Sequence, residues 1–234
     1  MADKQLLNLK QLINRNIQAV MPQEDQKMDF KKNISDYIDK LKINENQSEE
    51  FQKGIFRDFL ETVIPDKQIN TSDRIDLAIY NGKTSKSNVG VIVEYKKLDN
   101  KAEMMSEANL NAKGFRELVS YYLKERIINK NIEVKRGIVT NGYEFFVIDS
   151  KELEKYFIKN KKLVDNFKKF ENRQLSGPTT DFLYDEVVAP EIDKALNKGI
   201  KVGFFDLRNY LVKGTNQVKQ NQLTQLYRFF SSEN

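Results

Sequence analysis

The sequence predicts an α/β fold in which helices flank a mixed β-sheet, with helical additions at both ends of the chain. Two pairs of β-branched and aliphatic runs predict two hairpins, and a long amphipathic run between the pairs predicts the helix that connects them. The first pair is residues 73–80 and 89–97, and the second is residues 134–140 and 143–148. The first run of each pair is followed by Asn-Gly, which readily adopts the φ > 0 conformation of tight turns.

Apolar residues at helical spacing predict the connecting helix and another helix before the first hairpin. The connecting helix has apolar side chains at i, i+3, i+4, i+7 and i+8, namely Phe115, Leu118, Val119, Tyr122 and Leu123. In the helix before the hairpin, Ser48 precedes two acids and therefore predicts an N-cap. The apolar stripe predicted for that helix consists of Phe51, Ile55, Phe59 and Leu60.

The predicted organisation has three parts. Residues 1–47 form a helical N-terminal arm, residues 48–150 form the α/β core, and residues 151–234 form a mainly helical C-terminal extension. Within the extension, Pro190 is expected to kink a helix, and residues 202–207 are expected to add an edge strand. The sequence thus predicts a sheet-containing centre with helical segments on both sides of it along the chain.

The composition excludes several classes of chemistry. The 234-residue chain has no cysteine, so disulfides and thiolate metal sites are excluded. It has no histidine either, which excludes histidine bases, the usual catalytic triads and His-ligated zinc. A metal must therefore be held by oxygen atoms, which favours Mg²⁺ or Mn²⁺. The net charge of +5 is compatible with a polyanionic partner, although a Lys- and Asn-rich proteome explains it equally well.

The hydropathy pattern indicates neither a membrane protein nor a secreted one. No apolar run approaches the ~20 residues needed to span a bilayer, and the first residues do not resemble a secretory signal. We therefore expect a cytoplasmic location with no membrane partner.

Three charged residues interrupt the apolar strands of the first hairpin. Asp76 lies within the first strand, and Glu94 and Lys96 end the second on the same face, because side chains alternate along a strand. Two carboxylates provide hard oxygen ligands for Mg²⁺, and a neighbouring lysine can orient water or stabilise charge on phosphorus. The pattern therefore indicates metal-dependent phosphodiester hydrolysis. The alternative is a salt bridge between Asp76 and Lys96, which leaves Glu94 unexplained.

Asp76 followed by Glu94-Tyr95-Lys96 resembles the active-site signature of the PD-(D/E)xK nuclease superfamily. The flanking sequence resembles, more narrowly, the N-terminal nuclease region of type IIG restriction-modification enzymes, in which a nuclease precedes an adenine methyltransferase and a target-recognition domain. The segments that carry this resemblance are residues 57–60, 70–77, 89–94, 100–103, 109–111, 117–119 and 140–144.

The resemblance implies a restriction-endonuclease-like fold with its nuclease core in residues 48–150, and it implies double-stranded DNA as the substrate. It implies that Asp76, Glu94 and the Tyr95 carbonyl bind Mg²⁺ or Mn²⁺. It also implies that Lys96 positions the attacking water and that cleavage leaves 5′-phosphate ends. A homodimer for double-strand cleavage is one arrangement that the resemblance leaves open.

Three further residues are secondary candidates through the same resemblance. The helix before the hairpin often carries an acid that contacts the metal through water, and Glu50 has that position. The helix dipole alone also explains an acid there. Many relatives in the superfamily carry Gln and Tyr four residues apart on the connecting helix. Glu117 and Tyr121 have this spacing here, and the Gln is replaced by Glu.

The motifs of methyl transfer are missing. None of the four prolines follows Asn or Asp, and there is no Gly-x-Gly for an S-adenosylmethionine loop. The chain is therefore expected to be either an excised nuclease part or a free-standing relative. In a full-length restriction-modification protein, the methyltransferase and target-recognition domains would be its partners. The rival hypothesis is a non-catalytic nucleic-acid-binding or assembly module that retains the nuclease fold.

Overall fold

A mixed β-sheet with helices on both faces forms the centre of the structure. The computed structural model describes residues 6–19, 21–72, 75–175 and 179–231. Six strands within these residues form one open sheet in the order β1–β2–β3–β4–β5–β6. The strands are β1 (Ile69–Ser72), β2 (Ile75–Tyr80), β3 (Val89–Tyr95), β4 (Arg136–Thr140), β5 (Glu144–Asp149) and β6 (Gly203–Asp206). Only β3 and β4 pair in parallel among these strands, so the predicted α/β class is confirmed.

The helices divide between the two faces of the sheet. The α-helices are α1 (Leu9–Leu12), α2 (Arg15–Gln18), α3 (Glu24–Ile43), α4 (Glu49–Val63), α5 (Lys113–Ile127), α6 (Ser150–Leu153), α7 (Lys161–Glu171), α8 (Thr180–Phe182), α9 (Ala189–Asn197) and α10 (Gln220–Phe229). Helices α5, α7 and α9 pack on one face, and α1, α3, α4 and α10 pack on the other. None of the helices that the structure describes is both long and apolar enough to cross a membrane.

The core on the α4 face of the sheet extends across the predicted boundaries at residues 47 and 150, and the core on the α5 face extends across residue 150. On one face, the ring of Tyr37 in α3 stacks on Phe59 in α4 with ring centroids 4.7 Å apart. Near the end of the described chain, Phe230 contacts Phe145 of β5 with ring centroids 5.7 Å apart. The arm and the extension therefore complete the two sides of the sheet. The division into three parts stays a prediction.

The two Asn-Gly dipeptides have different structures. Gly142 has φ 91° in the short β4–β5 turn, as predicted. The β2–β3 hairpin is also present with the predicted connection of residues 81–88, but the tight turn predicted at Asn81-Gly82 is wrong, because Gly82 does not adopt φ > 0. The Asn81 and Asn88 amides donate to the two carboxylate oxygens of Glu133, at 3.0 and 2.8 Å. This distant acceptor stabilises the longer loop.

Helix α4 begins as predicted, but its buried face is rotated from the predicted stripe. Ser48 Oγ accepts the Phe51 N–H at 3.3 Å, so the N-cap is confirmed. Phe51 itself is half exposed, whereas Gln52 and Lys53 are buried. Hydrogen bonds hold Gln52 on the buried face: its Nε2 donates to the Glu45 carbonyl at 2.7 Å, and its Oε1 accepts the Leu98 N–H at 3.0 Å.

The last part of the described chain also differs in detail from the prediction. A π-helical turn at Leu183–Val188 precedes α9, which has Pro190 in its first turn. Proline cannot donate a backbone hydrogen bond, and this accounts for the local irregularity. The edge strand predicted at residues 202–207 is confirmed as β6, whereas β1 was not predicted.

The outer edge of β6 is covered by a residue from the start of the described chain. Leu7 N–H donates to the Val202 carbonyl at 2.9 Å, and the Leu7 carbonyl accepts the Phe204 N–H at 2.8 Å. This pairing protects an edge that would otherwise expose unpaired backbone groups.

We expect Tyr37→Phe to destabilise the fold by about 1–3 kcal/mol, because it removes a buried hydrogen bond. The Tyr37 hydroxyl donates to the Gly142 carbonyl at 2.8 Å and so joins α3 to the β4–β5 turn. The measurement is urea-induced unfolding. The matched control is Tyr156→Phe, which removes an exposed bond of 3.1 Å to the Lys198 carbonyl. Equal small effects of both variants would contradict a firm attachment of α3.

Candidate active site

The first three predicted site residues lie together at one end of the sheet. The β2–β3 register pairs Leu77 with Val93, and continuing it by one residue places Asp76 opposite Glu94. Lys96 follows directly after β3, and its N–H donates to the Thr140 carbonyl at the end of β4, at 2.8 Å. Because β3 and β4 are parallel, their carboxyl ends meet here. The hairpin and the parallel pair therefore bring Asp76, Glu94 and Lys96 together.

Asp76 is held between the strand β3 and the helix α4. Its Oδ2 accepts the Tyr95 N–H at 3.0 Å, and its Oδ1 accepts from Lys53 Nζ at 3.0 Å. Its side chain is 20% exposed, so one side of the carboxylate is open to solvent. The ammonium that neutralises Asp76 is therefore that of Lys53. The salt bridge between Asp76 and Lys96 that the sequence left open is not the pairing observed.

Lys96 lies instead between two buried carboxylates. Its Nζ is 2.7 Å from Glu94 Oε1 and 2.5 Å from Glu117 Oε2, where Glu117 comes from α5. Glu103 is more distant, with 3.7 Å between its Oε2 and Lys96 Nζ. The side chains of Glu94, Lys96 and Glu117 are at most 10% exposed. This ion triad joins β3 to α5.

Two carboxylate oxygens in the triad lack a hydrogen-bond donor. Glu94 Oε2 and Glu117 Oε2 are buried, and neither receives a hydrogen bond. The short contact of Glu117 Oε2 with Lys96 is an ion pair without the direction of a hydrogen bond. Buried oxygens of this kind are costly unless a cation or a proton satisfies them. The Glu94 and Glu117 carboxyl groups also lie within hydrogen-bonding reach of each other, so one proton or one cation between them would satisfy both oxygens.

The electrostatics of the triad favour a neutral Glu94 and a charged Lys96. Burial raises the pKa of Glu94 well above its usual range, and the nearby Asp76 carboxylate adds to this, while Lys96 opposes it. Burial alone would lower the pKa of Lys96, but Glu94 and Glu117 outweigh burial and raise that pKa. The lysine is thus held as an ammonium, and Glu94 is the carboxylate that most readily takes up a proton.

The secondary candidates have different positions. The Glu50 side chain is 77% exposed and forms an ion pair with Lys53 at 2.6 Å, so it reaches Asp76 only through that lysine. Glu117 lies inside the triad. Tyr121 is buried one turn further along α5 and hydrogen-bonds with Tyr184, and its pKa is raised by burial and by the nearby Glu94. Their functional roles stay predictions.

Sequence reasoning missed the polar residues of α4 that hold this end of the sheet. Glu49 Oε2 accepts the Lys97 N–H at 2.8 Å, and Gln52 accepts the next N–H along the chain. Lys53 contacts Asp76 directly. The available signal was that Gln52 and Lys53 stand one turn before Phe56 and so share its buried face. Glu103, which contacts Lys113 at 2.9 Å, carried no local signal.

The two carboxylates at this end of the sheet are of the ligand type that hard divalent cations prefer. In the part of the chain that the structure describes, no group of three or more acidic side chains is close enough to enclose a metal ion. Mg²⁺ commonly uses only one or two carboxylates and keeps several waters. Asp76 and Glu94 supply carboxylate oxygens opposite each other on neighbouring strands, and the buried Glu94 Oε2 has no hydrogen-bond donor.

Comparison with known proteins gives one match. Residues 7–234 match the sequence model of a protein family described as a domain of unknown function, DUF7149. No curated protein and no solved structure matches the chain.

We expect Glu94→Gln to stabilise the metal-free protein relative to wild type, increasingly so as the pH rises. The unfolded chain releases the Glu94 proton near its usual pKa of about 4.3, whereas the folded protein holds it to higher pH. The wild-type contribution is therefore fully present below that pKa and is lost as the pH rises toward the folded pKa. The glutamine variant has no such loss.

The measurement is urea-induced unfolding of both proteins in EDTA at pH 5 and pH 8. The stability difference should widen toward pH 8, by at most about 1.4 kcal/mol per pH unit. Glu61→Gln, at a half-exposed carboxylate on α4, is the control and should show no such widening. A constant difference between Glu94→Gln and wild type would contradict the raised pKa.

Proposed function

Because the chain belongs to the DUF7149 family, whose description assigns no function, we propose its activity from the site geometry: Mg²⁺-dependent hydrolysis of phosphodiester bonds in double-stranded DNA. The observation that carries the proposal is the meeting of Asp76, Glu94 and Lys96 at one end of the sheet, together with buried carboxylate oxygens that lack a donor. This is the arrangement expected for a PD-(D/E)xK endonuclease.

Each residue has a defined role in the proposed reaction. Asp76, Glu94 and the Tyr95 carbonyl would hold Mg²⁺ or Mn²⁺, which would neutralise phosphate charge and make a bound water more acidic. Lys96, fixed as an ammonium, donates hydrogen bonds that orient the attacking water and stabilise charge on phosphorus. Glu117 restricts the direction of Lys96 through its contact of 2.5 Å.

A cleft near the ends of β3 and β4 is a candidate path for the DNA backbone, although none of the proposed catalytic residues lines it. It has a volume of about 620 Å³ and is lined by the segment that follows Lys96 and by the β4–β5 turn. Lys42 and Lys101 line it and could contact phosphate. The cleft is also lined by Glu45 and by Glu144, which pairs with Arg208. Other basic residues are engaged inside the protein: Arg116 pairs with Asp185 at 2.6 Å, and Arg126 pairs with Glu154 at 2.9 Å. The cleft lysines are therefore the better candidates for phosphate contacts.

The biological context of the proposal is a bacterial restriction-modification enzyme. In that context, methyltransferase and target-recognition domains act as partners in a full-length protein and select the DNA site. Double-strand cleavage by a single catalytic site would require two cleavage events, and a homodimer is one way to supply the second site.

One observation favours the rival function, a non-catalytic nucleic-acid-binding or assembly module. Both catalytic carboxylates already have internal partners, because Lys53 pairs with Asp76 and Lys96 pairs with Glu94. A retained fold with internally neutralised charges would bind DNA without a metal. The two functions differ in their dependence on metal and on Asp76.

We expect the full chain to nick supercoiled plasmid DNA in Mg²⁺, and Asp76→Asn, Glu94→Gln and Lys96→Met each to reduce the rate at least about 100-fold, because each removes a charge or ligand needed at phosphorus. The measurement is the rate of conversion of supercoiled to nicked plasmid. The controls are Asp58→Asn and Lys155→Met. They make the same substitutions as Asp76→Asn and Lys96→Met, but at exposed residues away from the site. Both controls should retain the wild-type rate.

A parallel binding measurement separates the two functions. Calorimetry with Mn²⁺ should show binding to wild type and weak or no binding to Asp76→Asn and Glu94→Gln. If the wild-type protein binds DNA in EDTA but neither binds Mn²⁺ nor nicks the plasmid, the non-catalytic module is favoured and the nuclease proposal is overturned.

A further inference from the structure

We propose that Lys53 is a resident counter-ion of Asp76 that moves to Glu50 when a divalent cation binds, so that the Lys53–Glu50 pair sets the metal affinity of the site. The inference rests on the proposed function, because it concerns the same carboxylate. It assigns a positioning role to two residues of α4 that no part of the PD-(D/E)xK signature includes.

The contacts of Lys53 place its ammonium on the Asp76 oxygen that the β3 backbone does not contact. Lys53 Nζ lies 3.0 Å from Asp76 Oδ1, while the other oxygen, Oδ2, accepts the Tyr95 N–H. The lysine is 8% exposed and is therefore part of the site rather than a surface group. An ammonium at this distance repels any second cation that approaches the same oxygen. Metal binding at Asp76 consequently requires Lys53 to withdraw.

The same lysine already contacts the group that could receive it. Glu50 Oε2 is 2.6 Å from Lys53 Nζ, one helical turn earlier on α4. The Glu50 side chain is 77% exposed, so its carboxylate is free to follow the ammonium toward solvent. A lysine has a flexible four-carbon stem and a compact charge, so rotation of its last bonds is enough to break one contact and keep the other. No movement of the α4 backbone is needed.

This arrangement predicts effects of opposite sign at two adjacent positions. Removal of the Lys53 charge eliminates the competitor and should tighten metal binding. Removal of the Glu50 charge leaves Asp76 as the one remaining carboxylate of this pair that contacts the Lys53 ammonium. It should therefore weaken metal binding. Because Glu50 acts through Lys53, its effect should vanish when Lys53 is already neutral.

The experiment is isothermal calorimetry of Mn²⁺ into the full chain, with wild type, Lys53→Met, Glu50→Gln and the double variant. We expect about tenfold tighter binding for Lys53→Met, several-fold weaker binding for Glu50→Gln, and a double variant equal to Lys53→Met. Lys113→Met is the matched control: it removes the same charge from a lysine that pairs with Glu103 and not with Asp76. It should change the affinity much less than Lys53→Met does.

The outcomes separate this inference from the proposed function. If wild type and Lys53→Met both fail to bind Mn²⁺, the proposed metal site fails and this inference fails with it. If wild type binds, and Lys53→Met binds equally or more weakly, only the role of Lys53 is overturned. If Lys53→Met does not fold, as judged by thermal unfolding, Glu50→Gln decides: its side chain is exposed, and an unchanged affinity overturns the inference.

Discussion

The ammonium of Lys96, buried between Glu94 and Glu117, is the interaction on which this end of the molecule depends. It joins the end of β3 to the middle of α5, the helix that connects the two parallel strands. The approach is possible because the second residue of α5 is Gly114, where an added Cβ would lie 2.9 Å from Val139 Cγ1 and 3.5 Å from Lys96 Cε. A single charge and a missing side chain thus determine how closely the helix lies on the sheet.

Helix α4 supports the other side of the same site with polar side chains that face the sheet. Three polar residues of its first turns, Glu49, Gln52 and Lys53, point toward the sheet and bind Lys97 N–H, Leu98 N–H and Asp76. The apolar face that follows packs into the core through Phe56 and Phe59. The helix is therefore divided along its length: its beginning binds the chain that leaves β3, and its remainder is ordinary core packing.

The sequence predicted those features that depend on neighbouring residues. Alternation placed Glu94 and Lys96 on one face, Ser48 marked the start of α4, and Gly142 marked a turn that needs φ > 0. It did not predict the conformation of the β2–β3 loop, in which Asn81 and Asn88 bond to Glu133, more than forty residues later. The partner of Asp76 was missed for the same reason, since Lys53 approaches it from another element.

The contact of Leu7 with β6 has a consequence for synthesis of the protein. Leu7 bonds with Val202 and Phe204, so its partners are made almost 200 residues later. Ribosomes add about 5–20 residues per second, so the segment around Leu7 waits on the order of ten seconds or more for those partners. Leu7 is thus made long before it can reach its final pairing. The pairing of Leu7 with β6 therefore forms only after β3, the strand that carries Glu94, has long been synthesised. The order of synthesis thus places completion of this sheet edge after synthesis of the candidate site.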